Sequence, residues 1–132
     1  MLVIDTSAVI AALAARPPNG QVADRLAGDG GLAAPHLLDV ELLHALRRLV
    51  LGRQLGEDRA ADARDDFAAL AIARYEHTLV ADRVWELRHG LTAYDATFVA
   101  LAELLEAPLV TCDARLARAP GHRATVELLD GP

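Results

Sequence analysis

Residues 91–117 read LTAYDATFVALAELLEAPLVTCDARLA, and this stretch decides the fold class. Thr92-Ala93-Tyr94-Asp95 has capping-box spacing, and Tyr94, Phe98, Leu101 and Leu105 then recur on one helical stripe that reads as core, with the Tyr94 hydroxyl able to reach the edge of a ligand crevice. The helix is expected to run from Thr92 to Glu106. Pro108-Leu109-Val110-Thr111 follows as a short apolar run typical of a strand buried on both faces, and Asp113 stands where it can cap a further helix through ARLA. A helix feeding straight into such a strand, with no hairpin signal, points to parallel strands joined by helices.

The same alternation extends toward the amino terminus. Leu2-Val3-Ile4 is another short apolar run, ending in Asp5-Thr6-Ser7, after which Val9, Ile10 and Leu13 recur at helical spacing; Ser7, helped by Asp5, is the expected cap. RPPNG at 16–20 and GDGG at 28–31 read as turns around a short helix carrying Val22 and Leu26. Leu32-Ala33-Ala34 predicts a second strand. From Pro35, suited to a first helical turn, Leu38, Leu42, Leu46 and Leu49 line one stripe as far as Gly52. Residues 57–71 alternate acids and arginines, with Phe67 and Leu70 as apolar anchors, and Ala71-Ile72-Ala73 can form a short strand. Thr78 is expected to cap a helix carrying Leu79, Val84 and Leu87 to near Gly90, and residues 124–129 predict the last strand. The expected fold is α/β, a short parallel sheet of about five strands flanked by helices on both faces.

Composition removes several function classes. The 132 residues suit a single domain burying roughly two-thirds of its unfolded surface. No apolar run reaches the ~18 residues needed to cross a bilayer and no basic leader precedes Leu2, so a soluble, cytoplasmic protein is expected, with no membrane partner. The single cysteine, Cys112, has neither disulfide partner nor zinc-site spacing. All 13 basic residues are arginine, so a P-loop and Schiff-base chemistry are excluded for want of lysine. Ser7 is the only serine and lacks a nucleophile elbow. His36, His44, His77, His89 and His122 form no zinc pattern and read as surface or helix-end residues. Trp85 reads as packing rather than base stacking. A net charge of −6 is the opposite of a broad phosphate-binding footprint, so any nucleic-acid contact must be local, through arginines such as Arg47, Arg48, Arg115 and Arg118.

The acids remain. Asp5 and Asp113 would stand at carboxyl ends of parallel strands, where the ligand crevice of such sheets lies, and Asp95 could point into the same crevice. Glu41 falls on the border of the helix that starts at Pro35. Each aspartate taken alone also fits as an ordinary helix cap, and Glu41 as a solvated border residue. Together, converging carboxylates repel one another and call for a hard cation, with magnesium or manganese the natural choice.

MLVIDTSAVIAAL (1–13), PHLLDVELLHALRRL (35–49) and LTAYDATFVALAELLEAPLVTCDARLA (91–117) resemble the three signature blocks of PIN-domain ribonucleases, in particular the VapC toxins of bacterial type II toxin–antitoxin pairs. The resemblance implies one PIN-like domain over residues 1–132. It implies an endoribonuclease in which Asp5, Glu41, Asp95 and Asp113 bind Mg²⁺ or Mn²⁺ and activate water, assisted by hydroxyls at Thr6 or Ser7 and Thr111. It further implies an RNA substrate, a cognate antitoxin and a homodimer. Leu26, Leu43 and Val50 are candidate antitoxin-docking positions, with core packing as the alternative. Residues 53–90 match in general character only. Other readings are a non-catalytic PIN-like interaction module and a metal-dependent phosphatase; the haloacid-dehalogenase type of phosphatase needs a second Asp where Ser7 stands. A receiver domain needs a lysine that the chain lacks.

Overall fold

Leu2, Val3 and Ile4 are all buried, and as strand β1 (Leu2–Ile4) they form the middle of a sheet whose other members are β2 (Leu32–Pro35), β3 (Ile72–Tyr75), β4 (Leu109–Thr111) and β5 (Val126–Leu128). The computed structural model describes residues 1–28 and 30–130, so Asp29, in the expected GDGG turn, lies outside the described residues. The strand order is β3-β2-β1-β4-β5 and every pairing is parallel, with Val3 opposite Ala33 on one side and Ile4 opposite Val110 on the other. All five carboxyl ends therefore share one end of the molecule.

The chain leaves β1 through α1 (Thr6–Leu13) and α2 (Gly20–Leu26) to β2, then passes through α3 (Leu37–Leu51) and α4 (Glu57–Ala69) to β3. It then doubles back through a 3-10 turn at His77–Leu79, α5 (Ala81–Glu86) and α6 (Ala93–Leu105) to β4, and α7 (Ala114–Arg118) leads to β5. Right-handed crossovers put the first four helices on one face and the last three on the other, as the strand and helix pattern predicted. Consistently, α1 packs on α2, α3 and α4, while α6 lies across β1, β2 and β4 with α5 against it. The reversal of direction between β1 and β4 is the topological switch point of the sheet. Ala8, Ala11, Ala33, Ala34 and Ala96 have no solvent exposure, which lets helices approach the sheet closely. No helix among the described residues is long and apolar enough to cross a membrane.

Several local expectations are corrected. Pro35 belongs to β2 rather than to a helix: it pairs with Tyr75, the His36 N–H donates to the Tyr75 carbonyl at 3.1 Å, and α3 starts at Leu37, whose N–H donates to Nε2 of His77 at 2.9 Å. The third strand runs over Ile72–Tyr75 instead of 71–73, because an edge strand tolerates Arg74 at its exposed side. Residues 57–69 form a full helix whose buried stripe is Ala60, Ala63 and Phe67; dense charge on its outer side hid the period. Thr78 caps nothing. It lies in the 3-10 turn, and the helix expected over 78–90 is reduced to the six residues of α5. Trp85 is 68% exposed rather than packed, with the Arg88 guanidinium 4.5 Å above its ring.

Three bidentate ion pairs tie elements together: Arg25 to Glu127, both bonds 2.8 Å, joins α2 to β5; Arg74 to Asp39, at 2.7 and 2.8 Å, joins β3 to α3; and Arg83 to Glu103, at 2.7 and 3.1 Å, joins α5 to α6. On α3, Leu38 is 1% exposed and anchors the helix that carries Glu41. Leu38→Ala is expected to cost about 2–5 kcal/mol through lost burial and the cavity left behind, measured by urea denaturation. A change below about 1 kcal/mol would show that this helix is held mainly elsewhere.

Candidate active site

Asp5 leaves β1 in extended conformation and caps α1, so Asp5 rather than Ser7 is the cap: its Oδ1 accepts from the Ala8 N–H at 3.0 Å and from the Ser7 hydroxyl at 2.7 Å. Its Oδ2 accepts from the Thr111 hydroxyl at 2.5 Å. Each hydroxyl has one proton, and both protons go to Asp5. As acceptors, Thr111 Oγ1 then takes the Asp113 N–H at 3.0 Å and Ser7 Oγ takes the Cys112 N–H at 2.9 Å. The ends of β1 and β4 are thus laced together around a carboxylate that is only 6% exposed.

The other acids approach from three helices. Glu41, one turn into α3, accepts from the Thr6 hydroxyl at 2.7 Å through Oε1. Asp95 stands in the first turn of α6, where Thr92 is the cap, its hydroxyl accepting from the Asp95 N–H at 3.2 Å. Asp113 caps α7: Oδ1 accepts from the Arg115 N–H at 2.9 Å, and the Arg115 guanidinium holds both oxygens, Nη2 to Oδ2 at 3.0 Å and Nε to Oδ1 at 3.4 Å.

Asp5, Glu41, Asp95 and Asp113 line one crevice of about 660 Å³, together with Thr6 and Ser7. Thr111 lies behind them, fully buried. Leu37, Val40, Ala45 and Phe98 add apolar walls, and His44, Arg48, Tyr94 and Arg115 complete the lining. Arg47 and Arg118 are exposed but do not line the crevice. Tyr94, read on the core stripe with its hydroxyl reaching the crevice edge, does line the crevice, but it is 64% exposed rather than packed in the core. His44 was legible only as a helix-surface residue, yet it sits three positions after Glu41 on the same side of α3. A second hollow, of about 480 Å³, lies at the amino ends of β4 and β5, away from the acids.

The electrostatics show crowding. Burial, with Asp113 adding repulsion, raises Asp5 above the ordinary carboxylate range although Thr111, Ala8 and Ser7 all donate to it. Burial also raises Glu41, with Asp95 and Asp5 adding to the effect against the Thr6 bond. Asp95 is raised by burial and by Asp113, with Arg115 opposing. Asp113 alone is lowered: burial pushes it up, but the Arg115 bonds outweigh that. Among the described residues, no three Asp, Glu, His or Cys side chains form a ready-made metal cage. The donor set nevertheless fits a hard divalent cation, since it consists of carboxylate oxygens that carry more negative charge than the site can comfortably ionise.

The PIN domain family model matches residues 2–122. Ribonuclease VapC1 of Mycobacterium tuberculosis is 43% identical over 128 residues, covering 96% of each chain. Ribonuclease VapC12 of the same organism is 36% identical over 98% of this chain and 99% of its own. Among solved structures, VapBC2 from Rickettsia felis bound to a DNA fragment from its promoter has a chain superposing with TM-score 0.71 at 18% identity, over 98% of both chains.

Asp95→Asn keeps the backbone N–H that Thr92 caps and removes one charge from the crowd. Because the folded protein holds the Asp95 proton more tightly than the unfolded chain does, ionising Asp95 costs stability above its folded-state pKa, and that cost vanishes once pH falls below the ordinary aspartate range. Metal-free D95N is therefore expected to melt no lower than wild type at neutral pH, its advantage shrinking in acid. Thermal melts in EDTA at both pH values check this, and a large loss in the mutant at neutral pH would assign Asp95 to helix support instead.

Proposed function

The chain belongs to the PIN domain family and is a VapC-type endoribonuclease toxin; from that premise we propose that Asp5, Glu41, Asp95 and Asp113 hold a divalent cation, Mg²⁺ or Mn²⁺, and direct water at an RNA phosphodiester bond. The observation carrying this reading is that four carboxylates from β1, α3, α6 and the end of β4 line one crevice at the switch point of the sheet. No lysine, serine triad or histidine pair competes with them for the chemistry. When bound, the cation supplies Lewis acidity for activating water and neutralises charge on the phosphate.

The chain's own residues set the geometry. Asp5 is the fixed anchor, held by Ser7, Thr111 and the Ala8 N–H. Thr6 holds Oε1 of Glu41 and leaves Oε2 for a water or a cation. Thr111 sets both Asp5 and the Asp113 backbone. Arg48 and Arg115, in the crevice lining, are the cations best placed for RNA phosphates, which the acids would otherwise repel.

A cognate antitoxin, action in the cytoplasm, a homodimer and one domain spanning 1–132 complete the reading. A pocket of carboxylates is a receptacle for a cationic side chain, so an arginine-bearing antitoxin segment can compete there with metal. Leu43 is half exposed and Val50 partly so, and both remain candidate docking positions; Leu26 does not, being buried between α2 and the core. Leu79 and Leu104, both exposed in one hollow, offer apolar surface for a second subunit, which size-exclusion chromatography would detect.

RNA cleavage is expected with Mg²⁺ or Mn²⁺, to stop in EDTA, and to fall by about 100-fold or more in D95N, since losing even an outer partner of a metal site costs about 10–100-fold. Wild-type cleavage by D95N would sink the site assignment, and none by wild type with any metal would favour a non-catalytic module. Expression of the chain alone should arrest growth, and co-expression with the adjoining reading frame should restore it and yield a co-purifying complex. Unimpaired growth without a co-purifying partner would count against the antitoxin.

A further inference from the structure

We propose that Arg115 is the crevice's own counter-cation, holding Asp113 while the site is metal-free, yielding it when a divalent cation enters, and then pairing with an RNA phosphate. The proposal rests on the reading of the crevice as a metal-dependent ribonuclease site and assigns a positioning residue within it.

Arg115 meets Asp113 three times, through its backbone N–H and through two guanidinium nitrogens that occupy both carboxylate oxygens. The backbone bond already caps α7, so the guanidinium adds nothing to that cap. Nor does it tie elements together. Arg25, Arg74 and Arg83 pair across at least 20 sequence positions and lock one element to another, whereas Arg115 pairs with a residue two positions away. Its side chain is 84% exposed, so no packing explains its position. What the fork does accomplish is chemical: it places positive charge where Asp113 and Asp95 share the crevice and takes up the oxygens that an entering cation needs.

An ion pair so exposed is easily displaced, and its strength corresponds to about two- to five-fold in a competing equilibrium. Released, the guanidinium remains tethered at the crevice and matches a phosphate with two parallel N–H bonds. Entry of the cation and gain of a phosphate contact are thereby linked: metal uncovers the arginine that RNA requires.

The test compares wild type, R115Q and R115K. Mn²⁺ alone, titrated by calorimetry or followed by its paramagnetic resonance signal, is expected to bind R115Q about two- to five-fold tighter than wild type. R115K, which keeps the charge but loses the fork, should fall between them. In steady-state cleavage of a short labelled single-stranded RNA, R115Q should raise KM more than it changes kcat. The slope of log(1/KM) against log salt should weaken by about 0.7, one phosphate contact, and R115K should restore it. Unchanged or weaker Mn²⁺ binding in R115Q overturns the counter-cation role, and an unchanged salt slope overturns the phosphate role. If wild type cuts no RNA, the functional reading fails while the Mn²⁺ comparison still decides what Arg115 does to the site.

Discussion

The arrangement depends on keeping the Asp5 carboxylate ionisable inside a protein. A carboxylate that is 6% exposed must be hydrogen-bonded to be tolerated, and three donors reach it: Ser7, Thr111 and the Ala8 N–H. The two hydroxyls in turn accept from backbone N–H groups beyond β4. The carboxylate is thus satisfied by the same bonds that align β1 with β4. The supporting threonine cannot become valine without removing a donor from a buried charge, and the strands cannot slip in register without separating the hydroxyls from it.

Capping and crevice lining present themselves as competing places for the aspartates, but here they coincide. Asp5 and Asp113 each cap a helix and line the crevice at the same time. The geometry makes this natural. A residue that ends a parallel strand and starts the next helix has its side chain at the sheet's carboxyl edge, close to the helix's positive end, and that environment favours carboxylate whether or not a cation is present. Asp95 is different, since Thr92 supplies the cap and leaves Asp95 to crowd the others.

Much of this was legible in the order of residues. The strands β1 and β4 are short and mostly apolar, with an aspartate directly after β1 and two residues after β4, so their burial, direction and terminal acids could all be read from pattern alone. The stripe Leu38, Leu42, Leu46 placed α3 and brought Glu41 to its border. What escaped reading were features set by distant partners. Pro35 is a strand residue because Tyr75 pairs with it, and α3 begins where His77 accepts its first N–H. Tyr94 lies on the apolar period of α6 and is nonetheless exposed, because periodicity reports which side of a helix an amino acid occupies, not whether the sheet extends far enough to cover it. The Arg115 fork on Asp113 is not read from the residues, where Arg115 stands only among the arginines for nucleic-acid contact; the fork and its orientation toward the acids belong to three dimensions.

The sheet order has a consequence for when this enzyme comes into being. β1 is made first, yet one of its two neighbours is β4, and the bond between Asp5 and Thr111 spans 106 positions of chain. Contacts that distant cannot form until the intervening chain exists, and α6 and β4 must be in place before the acids share a space. A ribosome synthesising this chain therefore holds the four carboxylates apart until β4 and Asp113 have emerged. Whatever the crevice binds is thus out of reach of a nascent chain that has not yet extended to Asp113, however well its earlier strands have folded.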